Sequence, residues 1–553
     1  SEHLLLTGSQ TYAVEGLAGP RREWWMLQLC TVQGRCRPVD FDARGVKTMN
    51  VVLGPPSTRT IDGRTRVYVA GLHIPRGVTT PALFEVDPAT ARARIAERGT
   101  VELVDWLLDA RGDVAAQVLY RERDRGYALQ VRGSDGRVRE VGTGLAPTAL
   151  ETPRLLGFGA DPDTVLVAVE EDDGRRIRAA SRRDGTWSEL ADPRVAGGRP
   201  LVDPATGRVI GTAERSGAHR FVDAETQRRW DSIARAFGDS RLELVSWSRS
   251  FDRFVVRVEH PDRGYEFRLV DWATKRADPI GDVYAGLGPH ARRERLVYRA
   301  ADGLEIPAFL TLPRGREARA LPLIVLSNVG PPEVGTDAFD WWSQAYAALG
   351  YAVLQADVRG SAVGSAHLRA GFGEWGRRMQ TDLSDGVRHL AAAGTADPAR
   401  VCIVGASYGG YAALAGVTLQ SGVYRCAVAV AGLADPGGFV RWVNLKRGLG
   451  DRRAIRWWER YFGASGADDP LLERLSPVAR AANGTAPVLL VHGRDDTVVP
   501  YAQAEDMARA LRAAGRPVEF VTLVREDHWL SRSATREQML RASADFLARH
   551  NPP

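Results

Sequence analysis

Gly405-Ala406-Ser407-Tyr408-Gly409-Gly410 follows the apolar run Val401-Cys402-Ile403-Val404 and precedes the small-residue stretch Tyr411-Ala412-Ala413-Leu414-Ala415-Gly416. The order reads as strand, sharp turn, helix. A serine at such a turn sits in a strained backbone conformation, so the positions two before and two after it must be very small, and here they are Gly405 and Gly409. The turn lifts Ser407 clear of the sheet with its hydroxyl exposed, as a nucleophile requires. G-x-S-x-G alone also arises by chance in loops; the strand and helix around it give this match its meaning.

Two further strand ends carry the remaining chemistry. Pro487-Val488-Leu489-Leu490-Val491-His492-Gly493 reads as a buried strand ending in a turn, followed by Asp495 and Asp496. Val518-Glu519-Phe520-Val521-Thr522-Leu523-Val524 reads as the next strand, followed by Glu526-Asp527-His528. Serine, acid and histidine thus stand in α/β-hydrolase order: Asp496 lies 89 residues after Ser407, and His528 a further 32 on. Those spacings leave room for crossover units that bring three consecutive strand ends to one edge of a parallel sheet. Ser407 would attack a carbonyl, His528 would take and return its proton, and Asp496 would hold the imidazole's tautomer. Asp495 is the rival acid, and His492 reads as a structural residue beneath the acid loop. For the oxyanion hole the N–H of Tyr408 is the first expected donor. The second is the N–H of Val329, in the loop Ser327-Asn328-Val329-Gly330-Pro331-Pro332 after the strand Leu323-Ile324-Val325-Leu326.

Further matches run in order along the chain: Phe339-Asp340-Trp341-Trp342, Gly350-Tyr351-Ala352-Val353-Leu354, Arg359-Gly360-Ser361, Gly371-Phe372-Gly373-Glu374-Trp375-Gly376, Asp382-Leu383, Asp385-Gly386, Leu475-Ser476-Pro477 and Val499-Pro500. With the serine, acid and histidine motifs, residues from about 290 to 550 resemble the prolyl oligopeptidase family of serine peptidases, especially its acylaminoacyl-peptidase and dipeptidyl-peptidase-like branches. The resemblance implies an α/β-hydrolase domain, a doubly wound and mostly parallel sheet, capped by a β-propeller that admits short or flexible peptides. It supports Asp496, four residues after His492, as the acid. The chain departs from the family at Asn328-Val329-Gly330-Pro331, where His-Gly-Gly-Pro is usual, at Asp357, where asparagine is frequent, and at Ala362-Val363-Gly364-Ser365, where Gly-Tyr-Gly is usual. Valine's β-branch narrows the conformations of the oxyanion loop.

Before about residue 288 the chain lacks helical periodicity and alternates in short runs broken by Asp-Gly and Asp-Arg-Gly turns, the pattern of an all-β array. Trp106 and the later Asp124-Arg125-Gly126-Tyr127 recur as Trp247 and Asp262-Arg263-Gly264-Tyr265. The tryptophans are 141 residues apart, or three units of 47, close to one propeller blade. The expectation is a propeller cap over 1–288 with about six to seven blades and a hydrolase domain over 289–553. The tryptophans read as packing between blades. Trp341, Trp342, Trp375, Trp442, Trp457 and Trp458 read mainly as core.

Composition sets the remaining bounds. A chain of 553 residues, 44% hydrophobic and 26% charged, exceeds what one core usually holds. No run of about 18 apolar residues occurs, so no membrane-spanning helix is expected. The net charge of +6 is spread beside comparable numbers of Asp and Glu, which reads as a solvated surface rather than a nucleic-acid face. Four cysteines are too few for a zinc cluster, and neither metal nor cofactor is expected. Cys402 and Cys426 read as core. Cys30 and Cys36 flank a hairpin tip, where a disulfide would favour the periplasm or the exterior over the cytoplasm. The chain opens on Ser1 without a leader pattern, so loss of a leader or of a longer N-terminal segment is allowed for. The expected partners are short peptides, with assembly of identical copies left open. The expected activity is a serine peptidase acting through an acyl-enzyme; the alternatives are an esterase or amidase for small acyl groups, and a non-catalytic binding protein.

Overall fold

The computed structural model describes residues 3–12, 21–41, 48–73, 79–171, 174–190, 198–214, 217–260, 264–284, 286–327, 330, 332–420, 422–447 and 453–553. They form two compact units. The first comprises Ser1–Gly238, Leu242–Val255 and Val270–Arg276, and the second Asp239–Arg241, Val256–Leu269 and Ala277–Pro553.

The α/β-hydrolase sheet has eight strands: β1 (Arg292–Arg299), β2 (Glu305–Leu312), β3 (Leu321–Ser327), β4 (Ala352–Ala356), β5 (Ala396–Ala406), β6 (Cys426–Val430), β7 (Val488–Gly493) and β8 (Val518–Leu523). Their spatial order is β1-β2-β4-β3-β5-β6-β7-β8. β1 and β2 pair antiparallel, β2 pairs antiparallel with β4, and all later neighbours run parallel. Parallel strands need crossovers, and helices on both faces turn these strands into near-continuous apolar runs. Period two sorts each run between two cores. Leu323, Val325, Val401 and Ile403 enter one cluster, while Ile324, Leu326, Cys402 and Val404 enter the other. Every C-terminal end from β3 to β8 therefore opens at the same edge. One sequence expectation changes here: the strands before Ser407, Asp496 and His528 are β5, β7 and β8, with β6 lying between the first two, so the three ends are not consecutive.

Among the described residues, the N-terminal part forms a β-propeller of six small sheets, spanning 3–38, 48–98, 103–145, 154–189, 199–221 and 241–282. Six is the count that the 47-residue period implies. Trp106 lies on the first strand of the third sheet (Leu103–Leu108) and Trp247 on the first strand of the sixth (Arg241–Trp247). Tyr127 and Tyr265 lie on the corresponding third strands, Gly126–Arg132 and Tyr265–Asp271; Asp262 and Arg263 fall outside the described residues. Trp106 packs against the cluster of Tyr68, Leu83, Leu108 and Val114, which draws on the second and third sheets. It is a packing residue between blades.

Both cysteine pairs are disulfides. Cys30 and Cys36 oppose each other directly across antiparallel strands. Cys402 and Cys426, read from the sequence as core, are fully buried and are bonded to each other as well. The in-register parallel pairing of β5 with β6 puts them opposite each other with Cα atoms 4.8 Å apart, within the range a disulfide bridges. Among the described residues, no helix is long and apolar enough to cross a membrane.

Candidate active site

Ser407 stands between β5 and α3 (Tyr408–Thr418), counting the helices of eight or more residues that follow β3, of which α1 is Trp341–Ala348 and α2 is Arg378–Ala392. Its backbone is left-handed, with φ 57° and ψ −116°, a region that non-glycine residues rarely adopt. The Ser407 N–H donates to the Val430 carbonyl at the end of β6, 3.0 Å away, and its carbonyl accepts from the Tyr411 N–H at 3.0 Å. A Cβ on Gly405 would lie 2.0 Å from the Ser327 carbonyl oxygen and 2.5 Å from the backbone of Gly409. Glycine at 405 thus lets β3, the turn and α3 converge on one point.

The N–H of Tyr408 occupies the first position of α3, where no intrahelical partner exists, and it finds no backbone acceptor among the described residues. That amide lies at the positive end of the helix dipole. The Tyr408 ring is buried against Trp375, with centroids 4.8 Å apart, and burial pushes its phenol pKa well up. Tyr408 therefore offers the site its backbone and not its hydroxyl. Val329 and Asn328 lie outside the described residues. Their neighbour Gly330 is described, and a Cβ on it would lie 3.6 Å from the Cβ of Tyr408, so the loop after β3 reaches the turn.

Asp496, in the loop after β7, is the carboxylate that meets His528. The Asp496 Oδ1 accepts from the N–H groups of Val498 and Val499, at 2.8 and 2.9 Å, and Oδ2 accepts from the His528 Nδ1–H at 2.7 Å. A carboxylate can only accept, so Nδ1 carries the proton of this bond, and Nε2 is the ring nitrogen that Asp496 does not engage. Burial alone would raise the Asp496 carboxyl pKa. The adjacent His528 and the hydrogen bonds from His492 and His528 outweigh that and hold it well below the usual carboxylate range. His492 is fully buried beneath the loop, its Nε2 3.2 Å from Asp496 Oδ2 and 3.0 Å from the Val499 carbonyl. Asp495 instead donates its N–H to the Glu526 carbonyl at 3.0 Å.

Glu526 itself was not singled out in the sequence beyond its place in the Glu-Asp-His motif. Its fully buried carboxylate accepts from the N–H groups of Asp527 and Ser531 at 3.0 Å each, from the Arg532 N–H at 3.3 Å and from the Thr535 hydroxyl. It gathers the turn that carries His528 around one charge. The available signal was an acid directly before Asp-His between a strand and a helix, but its donors come from residues up to nine positions later. Among the described residues, no group of three or more His, Cys, Asp or Glu is placed to hold a metal ion.

Residues 337–551 match the model of the prolyl oligopeptidase family. The chain is similar to dipeptidyl aminopeptidase BIII of Pseudoxanthomonas mexicana, with 24% identity over 84% of this chain and 69% of the relative. It is also similar to dipeptidyl peptidase family member 6 of Caenorhabditis elegans, with 26% identity over 52% of this chain and 42% of the relative. The chain thus spans a little over two thirds of the first and less than half of the second. Among solved structures, a puromycin-hydrolyzing peptidase of Mycobacterium tuberculosis superposes with a TM-score of 0.72 at 20% identity, covering 100% of this chain and 86% of that one. That likeness spans both the propeller and the hydrolase fold.

Proposed function

We propose that this chain, whose residues 337–551 belong to the prolyl oligopeptidase family, is a serine peptidase that hydrolyses short peptides through an acyl-enzyme formed on Ser407. The observation that carries the reading is the 2.7 Å hydrogen bond from His528 to a buried, anchored Asp496, at the sheet edge where the strained turn presents Ser407. His528 Nε2 removes the hydroxyl proton as Ser407 Oγ attacks the scissile carbonyl. Asp496 fixes the tautomer and stabilises the imidazolium that forms. The N–H of Tyr408 and a second N–H from the loop after β3, assigned to Val329, bind the oxyanion. Collapse of the intermediate breaks the C–N bond while His528 gives its proton to the departing amine. Water, deprotonated by the same imidazole, then releases the acid. No step calls on a metal or cofactor. The propeller, by family resemblance, restricts access to short or flexible chains.

Similarity to a dipeptidyl aminopeptidase and to a puromycin-hydrolyzing peptidase favours amide bonds over simple esters. The test is a library of short peptides with free and acetylated amino termini, read by mass spectrometry beside Ser407→Ala. Cleavage by the wild type alone supports the reading, and dependence on the terminus separates amino-terminal from internal cleavage. Turnover of acyl esters with no cleavage of any peptide would replace it with an esterase. Turnover of neither would point to a binding protein.

A further inference from the structure

Directly after His528 comes Trp529, with 59% of its surface exposed, the most exposed tryptophan of the described chain. Its ring meets the His528 imidazole edge to face, with centroids 5.1 Å apart and planes at 90°. A tryptophan so exposed contributes little burial to the fold, yet its backbone is tightly held. Asp527 Oδ1 accepts the Trp529 N–H at 2.8 Å, Asp527 Oδ2 accepts the Ser531 hydroxyl at 2.6 Å, and Glu526 gathers the turn from beneath. The next residue, Leu530, is buried with φ 54°, and its carbonyl accepts from Arg536 at 2.9 and 3.1 Å. The turn thus displays an apolar side chain to solvent on a preorganised support, which lowers the ordering cost of binding.

Chemistry says which part of a substrate meets that ring. The Nδ1 of His528 is taken by Asp496, so the proton passes through Nε2, and in the acylation step it goes to the departing nitrogen. That nitrogen must come within about 3 Å of Nε2. A side chain on the leaving residue then falls within reach of an indole packed on the same imidazole.

We infer that Trp529 is the specificity wall of the leaving-group subsite, selecting residues with aromatic or large apolar side chains on the amine side of the scissile bond. This rests on the acyl-enzyme reading above. The same wall governs the reverse step. An amine that enters this subsite attacks the acyl carbonyl, a C–N bond forms as the Ser407 Oγ–C bond breaks, and the amine's proton passes by way of His528 to Ser407. The acyl-enzyme should therefore transfer its acyl group to phenylalaninamide in preference to glycinamide.

The experiment loads the full chain from an acyl p-nitrophenyl ester, follows the nitrophenol burst, and measures the ratio of aminolysis to hydrolysis products with each acceptor. This ratio depends only on the acyl-enzyme, so any effect on acylation drops out. The wild type should prefer phenylalaninamide; Trp529→Ala should lower the ratio of phenylalaninamide to glycinamide transfer by about 5- to 10-fold, the size of an aromatic contact. Trp529→Phe should restore most of it. Equal loss for both acceptors would make Trp529 a support of His528 and overturn the inference, as would a preference unchanged by the substitution. Release of nitrophenol by the wild type no faster than by Ser407→Ala would overturn the acyl-enzyme reading itself, and this inference with it.

Discussion

In the hydrolase unit, β3, β6, β7 and the second half of β5 have both faces buried, and single atoms are refused: Gly405 has backbone oxygen 2.0 Å from where a Cβ would go. In the propeller, the outer strand Val138–Leu145 of the third sheet is exposed or half-buried throughout, and Gly136, at the turn before it, has nothing within 4 Å of a Cβ. One region is a single sheet whose central strands are constrained by two cores. The other is a series of sheets joined by small clusters, each drawn from two neighbouring blades. The contrast separates chemistry from shape: substitutions in the first should change the reaction or the whole fold, and those in the second should change one blade and the neighbour it packs on.

The sharpest break between the regions should come at Ser407. Ser407→Ala is expected to lower kcat by on the order of 10^5- to 10^6-fold without a shift in the thermal transition, as a nucleophile acting as part of a unit does. Asp496→Asn should lower kcat about 10^4-fold by losing the tautomer control of His528, whereas Asp495→Asn should stay within about tenfold of wild type because its bond to the base loop runs through its backbone. Steady-state kinetics on one cleaved peptide decides both; equal effects at 495 and 496 would contradict the assignment.

Stability tests the packing half of the comparison. Gly405→Ala should cost about 3 kcal/mol or more by overpacking. Gly136→Ala, with open space but φ 76°, should cost about 1 kcal/mol; denaturant unfolding followed by intrinsic fluorescence compares them. The two disulfides offer a gentler contrast. Cys36 is exposed, so dithiothreitol should open Cys30–Cys36 in the native state with little change in activity. Cys402 and Cys426 are fully buried and should resist reduction until the hydrolase unit unfolds, with alkylation mass spectrometry recording the order.

Acid supplies the smallest effect. Asp496 has its pKa depressed in the fold, so its contribution is full above the unfolded carboxyl value near 4 and is lost as the pH falls below it. Asp135 in the propeller, held by hydrogen bonds from Arg139 and from the Arg137 amide, is lowered to about 2, and its contribution is likewise lost between about pH 4 and 2. Asp135 faces solvent and Asp496 is buried, so 0.5 M salt should weaken only the former. Acid titrations of Asp496→Asn and Asp135→Asn at two salt concentrations would show the difference.

Local signals made much of this legible in the sequence. The turn at Ser407 declares itself because strand, glycines and small-residue helix are contiguous, and the propeller because Trp106 and Trp247 recur at three blade lengths. Asp496 and His528 could be placed because each closes an apolar run. What escaped depends on register across the sheet. The insertion of β6 between β5 and β7, the pairing of Cys402 with Cys426 and the donors around Glu526 join segments whose proximity no local pattern states. Arg359 shows the same: it looked like one member of a short motif, but its buried guanidinium binds Asp382 at 2.7 Å and Asp302 at 2.8 Å, 23 and 57 residues away.

The most direct test of the central claim is to treat the protein with a fluorophosphonate and map the adduct by mass spectrometry while following peptide cleavage. The account predicts a single adduct on Ser407, with cleavage lost in proportion to labelling and no adduct in Ser407→Ala. An unmodified Ser407 in a protein that still cleaves peptides would contradict it.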